Sequence, residues 1–360
     1  MVRIPVPWLV VVSDCGFTCA RRKSMGLRER KTRYLDSPAL CRYNRAMNSV
    51  QIIPFPGDLL DEVVLLLQQT LHADPISRSL FVRKVLIDPN FDPDGAPVAV
   101  VNGRVVGFGL SIARRLPLED APPDWDRGYI TLLAVHPQHQ RQGIGTALLQ
   151  QMEDYLRSRE RRLVLVSPYA PNYFTPGVDV NAYAGGLRFF LKHGYQEVYR
   201  PVSMDCNLLS LRVPEWVQQR EQALLQEGVT VEHYRPQLIP ALFRFLRVEF
   251  PGDWQRFARE AIARIEQGDT PLRLWIAHER GEVVGYSHFE GERFGPIGVS
   301  QSQRGRGIGQ VLMYKTLQAM RLQGLHTAFF LWSDDRTAER LYNAAGFTET
   351  RRFALLRKEL

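Results

Sequence analysis

RGRGIG, residues 304–309, follows a strand-like stretch, FGPIGV (residues 294–299), and leads into a helix-like one, QVLMYKTLQAMRLQG (residues 310–324). A near copy, QRQGIG at residues 140–145, follows YITLLAV and leads into a second helical pattern. Strand, glycine-rich turn and helix N-terminus together make an anion cradle. Unpaired amides point outward there, and the helix dipole adds partial positive charge. Gly305, Gly307 and Gly309 let the backbone approach a ligand closely, and Arg304 and Arg306 offer charge-assisted bonds to phosphate. The chemistry points to a diphosphate. A Walker A loop needs Lys-Ser or Lys-Thr after its last glycine, and Gln310 stands there; a Rossmann fingerprint needs a third glycine further on, where Gln310, Val311 and Leu312 stand. The pattern left is [QR]-x-x-G-x-[GA] after a strand.

Aligning the chain with itself shows that the copy is part of a longer repeat. Val135, Gln140, Gly143, Ile144, Gly145 and Leu148 match Val299, Arg304, Gly307, Ile308, Gly309 and Leu312 at an offset of 164. Upstream, GRVVGFG (residues 103–109) matches GEVVGYS (residues 281–287) at 178; downstream, FFLKHGY (residues 189–195) matches LYNAAGF (residues 341–347) at 152. The offset changes place two insertions in the first copy, one including LPLEDAPPDWDR (residues 116–127) and one including PYAPNYFTPGVDV (residues 168–180). Their Pro, Asp and aromatic content suits loops beside a binding cleft as well as surface decoration. Asn102-Gly103 predicts a tight hairpin turn. Ala147, Leu148, Met152 and Leu156 share one helix face, as do Leu312, Met313, Leu317 and Met320. LVLVSPY and TAFFLWS read as buried strands, and Gly194 and Gly346 as left-handed helix caps. VPEWVQQREQALLQEG (residues 213–228) predicts a helix joining the copies.

The 360 residues are enough for about two domains. At 45% hydrophobic and 23% charged, with no run of about 18 apolar residues, the composition is globular and argues against a membrane partner. The net charge is +8, but residues 1–50 hold ten Lys/Arg against three acids, so the remaining 310 carry +1 and give no reason to expect nucleic acid. Cys15, Cys19 and Cys41 lie in that head and only Cys206 beyond it, which fits a reducing, cytoplasmic setting and makes a poor metal site. The expected organisation is a basic head at residues 1–48 (disordered, transit-like or an upstream start before Met47), a first copy at 49–207, a linking helix at 208–228 and a second copy at 229–360.

Arg304-x-x-Gly307-x-Gly309 and Gln140-x-x-Gly143-x-Gly145 resemble the coenzyme A loop of the GNAT superfamily of acetyl-CoA-dependent N-acetyltransferases. ERLYNAAGF (residues 339–347) is similar to that family's later helix-and-strand block. The resemblance covers residues 50–360 as two tandem copies, a layout similar to the mycothiol synthase type. It implies an α/β (α+β) fold of two domains, each a mixed, mostly antiparallel sheet flanked by helices, with a splayed strand pair at the cofactor. It implies acetyl-CoA as cosubstrate, no metal, a small-molecule primary amine as acceptor, and a monomer or homodimer. Cofactor contacts are expected from Ile297, Gly298, Val299, Arg304, Gly305, Arg306, Gly307, Ile308 and Gly309. The first copy offers Leu133, Ala134, Val135, Gln140, Arg141, Gln142, Gly143, Ile144 and Gly145.

An alkylamine of pKa about 10.4 is almost wholly protonated at pH 7, so a base assists its attack, and an acid assists the departing thiolate. By resemblance the acid is Tyr342, matched in the first copy by Phe190, which has no proton to give. The base is expected on YSHFEGERFG, where His288, Glu290 and Glu292 alternate onto one strand face; Glu290 is the choice. Asp335 stands where the family often carries a cofactor-contacting Asn. Catalysis is thus expected in the second copy. The alternative is a non-catalytic acetyl-CoA-binding regulator.

Overall fold

The computed structural model describes residues 50–268 and 272–360, so the basic head and its three cysteines lie outside the described residues. The first copy comprises β1 (Gln51–Ile53), α1 (Leu60–Thr70), α2 (Arg78–Phe81), β2 (Val98–Val101), β3 (Arg104–Ala113), β4 (Arg127–Val135), α3 (Ile144–Ser158), β5 (Leu163–Val166), β6 (Val178–Asp179), α4 (Ala184–Lys192), β7 (Gln196–Tyr199) and β8 (Val202–Asn207). Helix α5 (Glu215–Gln226) leads to the second: β9 (Val229–His233), α6 (Ile239–Glu249), α7 (Asp253–Glu266), β10 (Leu272–Glu279), β11 (Glu282–Glu290), β12 (Arg293–Val299), α8 (Ile308–Leu322), β13 (Thr327–Ser333), α9 (Asp335–Thr337) and β14 (Phe347–Glu359).

Local chemistry explains the repeat. Asn102 and Gly103 take φ of 50° and 75°, and Arg280 and Gly281 take 50° and 87°, so both hairpins turn through left-handed pairs. Helix α3 buries Leu148, Met152 and Leu156, and α8 buries Leu312, Met313, Leu317 and Met320, against the same face of their sheets. Gly194 and Gly346, at φ of 87° and 88°, end the later helical segments. The second of these is irregular: α9 passes into a wide turn over residues 338–342 and a tight one over 343–345.

The sheet order is β1-β2-β3-β4-β5-β14-β8-β13-β12-β11-β10-β9. Neither copy closes its own sheet. The last strand of the first copy, β8, pairs with β13 of the second (Phe330 opposite Met204). The distal half of β14 pairs with β5 of the first (Leu356 opposite Val166) and also with β7. The strand β8, in the first copy by sequence, thus lies in the second copy's sheet by pairing.

Both insertions lie along the seam between copies. From the first, Glu119 pairs bidentately with Arg259 at 2.7 and 2.8 Å, and Asp120 accepts from Arg247 and Gln255. From the second, Asp179 accepts from Arg351, whose guanidinium also grips Asp74 at 2.7 and 2.8 Å. Among the described residues, no helix is long and apolar enough to cross a membrane, and no cluster of three metal-ligating side chains occurs.

Candidate active site

The same strand geometry occurs twice. Strand β4 runs parallel to β5 only from Arg127 to Ile130, then parts from it. Strand β12 touches β13 only at Arg293 opposite Phe329. Beyond those points the inner edge of each strand is free. The His136 amide donates to Val106 at 2.8 Å, and the Ser300 amide to Val284 at 2.8 Å. Alternation then turns Val135 and Leu133, and Val299 and Ile297, toward the opening, while Ala134 and Gly298 serve the outer ladder. Of each expected trio, the outer two therefore present peptide groups to the opening.

Each loop is braced by its first residue. Gln140 Nε2 donates to the Val135 carbonyl at 3.1 Å, and Arg304 Nε to the Val299 carbonyl at 3.4 Å. The φ values also repeat: Arg141 and Gly143 are at 61° and 85°, Gly305 and Gly307 at 87° and 80°. Gly145 and Gly309 are ordinary helical residues, and a Cβ on either would meet neighbours only at 3.5 Å or beyond. Arg306 is paired with Glu227 at 2.8 Å, and Arg220 donates to its carbonyl at 2.6 Å.

The interiors of the two openings differ. In the first copy, Leu133, Ala134, Val135, Gln140, Ser167, Tyr183 and Phe190 line a cavity of about 540 Å³ that continues to His72 and Asp74. Tyr183 precedes α4, and its hydroxyl accepts the Ala73 amide at 3.1 Å. In the second copy, Phe294 and Phe330 stand where the first has Ile130 and Val166. Their rings lie 6.2 and 4.4 Å from that of Tyr342, with Phe347 at 5.5 Å. Tyr342 is 6% exposed. Burial, with a smaller contribution from Asp334, pushes its pKa up, so it keeps its proton at neutral pH.

In the second copy, His288 and Glu290 lie on β11 and Glu292 in the turn after it, so the three do not share one strand face. Glu290 is ion-paired with Arg264. His288 is buried, and burial followed by Arg293 pulls it down to about 3, so it is neutral and a weak base. Sequence reasoning did not single out Asp253. It opens α7, is 1% exposed, and accepts from Arg256 at 3.0 Å through Oδ1, while Oδ2 has no partner among the described residues. Burial raises its pKa to about 6. Its neighbour Trp254 stacks on Phe250 at 4.1 Å, and both rings abut Gly298 of β12, where a Cβ would meet them at 2.4 to 2.7 Å. A base titrating near neutrality therefore sits one residue from the side chain that packs on the splayed strand. The local signal was only a helix start after Gly252, which carries no chemistry by itself.

The sequence profile of the Acetyltransferase (GNAT) family matches residues 67–173 and 239–347, one match in each copy. A mycothiol acetyltransferase from Kineococcus radiotolerans is 26% identical over 312 residues, covering 82% of this chain and 91% of that protein. A GCN5-related N-acetyltransferase from Sphaerobacter thermophilus superposes with a TM-score of 0.64 at 21% identity, over 86% of this chain and 95% of the other. A glucosamine N-acetyltransferase region in a fungal multi-domain β-N-acetylglucosaminidase gives 0.70 at 20% identity, over 87% of this chain and 38% of that one. The two structural likenesses concern the fold alone. The paired profile matches bear out the family resemblance and the tandem fold read from the loops.

Proposed function

The chain belongs to the GNAT acetyltransferase family, and from that premise we propose that it moves an acetyl group from acetyl-CoA to the primary amine of a small molecule by direct attack in a ternary complex. The observation that carries this reading is a strand that parts from its neighbour ahead of a glycine turn and a helix N-terminus, present in both copies, with a cavity along it in the first. It suits a flexible arm ending in a diphosphate. Acetyl-CoA supplies the electrophilic thioester and the leaving thiolate. In this reading the amides of Leu133 and Val135, or of Ile297 and Val299, pair with the arm and stabilise charge developing on the carbonyl oxygen.

Proton chemistry is assigned to the second copy, because Phe190 cannot donate where Tyr342 can. Tyr342 is the donor to the departing sulfur. Asp253 is the favoured acceptor of the amine proton, with Glu290 the alternative once freed from Arg264. The first copy then holds acetyl-CoA without turning it over, which keeps for that copy the binding-only role of a regulator.

A charge reversal at each loop tests the division. At Gly145 and Gly309 the backbone is helical and a Cβ meets neighbours only at ordinary contact distance, and an acid in the first helical turn favours the helix. Facing a diphosphate, it should cost at least about tenfold in acetyl-CoA affinity. Calorimetry of the unsubstituted chain should find two sites. Gly145→Asp should lose one and keep thiol release, while Gly309→Asp should lose turnover. Absence of heat at millimolar acetyl-CoA ends the donor reading; full turnover in Gly309→Asp ends the assignment to the second copy.

A further inference from the structure

Two nearly buried cations face the seam between the copies. Arg293, the first residue of β12, is 5% exposed, and Lys84, just after α2, is 7% exposed. Neither has a carboxylate within 4 Å among the described residues. Glu290 lies opposite Arg293 in the ladder but is engaged by Arg264. Tyr173, from the second insertion of the first copy, joins the two. Its carbonyl accepts from Lys84 Nζ at 2.7 Å, and its hydroxyl lies beside the Arg293 guanidinium. The Tyr286 hydroxyl and His288 Nδ1 are buried without hydrogen-bond partners among the described residues, and the Tyr173 hydroxyl has none beyond the guanidinium it lies beside. Tyr286 and His288 share a face of β11, with ring centroids 6.0 Å apart. Asp253, with its partnerless Oδ2, is close enough that its charge acts on both Tyr173 and Tyr286.

A desolvated cation whose nearest carboxylate, Glu290, is drawn to Arg264, and which sits among partnerless polar groups, is costly unless something completes it. The guanidinium fork matches a carboxylate, and a phenol beside it adds a third donor. Asp253 offers an acceptor in the same cluster, suited to an ammonium or amine. Resting on the acetyltransferase reading above, we propose that Arg293, together with the Tyr173 hydroxyl contributed by the first copy, holds the carboxylate of an amino-acid-type acceptor whose amine faces Asp253. The acceptor site of the second copy is therefore built by both copies, and an amine that lacks an anionic group is a poor substrate.

Thermal unfolding of the full chain at fixed ionic strength tests this, with sodium chloride as reference against glycine, 4-aminobutyrate, their carboxamides, and inorganic phosphate. At least one free amino acid should raise the melting temperature above its carboxamide. Arg293→Gln and, independently, Tyr173→Phe should abolish that difference while acetyl-CoA calorimetry stays unchanged. Where turnover is seen, kcat/KM should favour the acid over the amide at least tenfold, and Arg293→Gln should remove the preference. Equal shifts for acids and carboxamides, or a difference that persists in Arg293→Gln, overturn the proposal. Stabilisation by phosphate alone also overturns it, since the cage then serves a free anion. Loss of acetyl-CoA binding with the amino-acid shift intact would remove the donor reading and leave this one standing.

Discussion

A chain ending at Arg352 is expected to lose the first copy's fold, although the deleted residues lie in the last turn of sequence of the second. The segment removed holds Phe353, Ala354, Leu355 and Leu356, all at most 2% exposed. It pairs with β5, β6 and β7. Burying Phe353, Leu355 and Leu356 contributes about 5–9 kcal/mol, comparable to the whole stability of about 5–15 kcal/mol for a domain. Loss of the strand also bares the edges of β5 and β7 to pairing with other chains. Circular dichroism and urea unfolding should therefore find no cooperative transition in the truncated chain. Split at residue 210, the halves 50–210 and 211–360 should be insoluble apart and copurify when made together. A soluble 50–210 fragment with its own cooperative transition would overturn this dependence. The exchange also means that the first sheet cannot close until residues 353–359 have been made, so its folding waits on contacts far along the chain.

The exchange was not legible because the repeat conceals it. The strands β8 and β14 end equivalent segments of two similar copies, so either can satisfy the same period-2 pattern in either sheet. Local periodicity sets which face of a strand is buried, not which copy supplies its neighbour. Features decided within a few residues were readable: the hairpin at Asn102-Gly103, the caps at Gly194 and Gly346, and the helices after Gly143 and Gly307. The insertions were readable as insertions. That they form the seam rests on pairs such as Glu119 with Arg259 and Asp74 with Arg351, which have no sequence spacing to reveal them. The buried cluster proposed above as an acceptor site is hidden for the same reason. Tyr173, Asp253, His288 and Arg293 come from four separate elements, and only burial in the folded chain gives Asp253 its altered proton affinity.

The catalytic assignment carries the other large effect. Tyr342→Phe removes one oxygen from a ring packed among Phe294, Phe330 and Phe347, so the fold should survive. If the hydroxyl donates to the leaving sulfur, kcat should fall by about 10²–10⁴-fold, with acetyl-CoA affinity unchanged in calorimetry. Asp253→Asn should lower kcat over the same range and abolish the acidic limb of the pH profile near 6, where the carboxyl must ionise before it can accept a proton. Its effect on stability has the opposite sign. The carboxyl titrates at about 6 when folded against 3.8 for a free aspartate side chain, so the folded state holds its proton more tightly. That advantage is complete below about pH 4 and is lost as pH rises through 6. At pH 7 to 8 the ionised carboxyl costs the wild type about 3 kcal/mol, which Asn does not incur. Asp253→Asn should therefore be the more stable protein at pH 8, and that difference should shrink toward zero below pH 4. A disrupted fold cannot produce lost turnover together with gained stability. If the acidic limb survives in Asp253→Asn and disappears in Glu290→Gln, the proton goes to β11 and Asp253 is a buried acid of the seam.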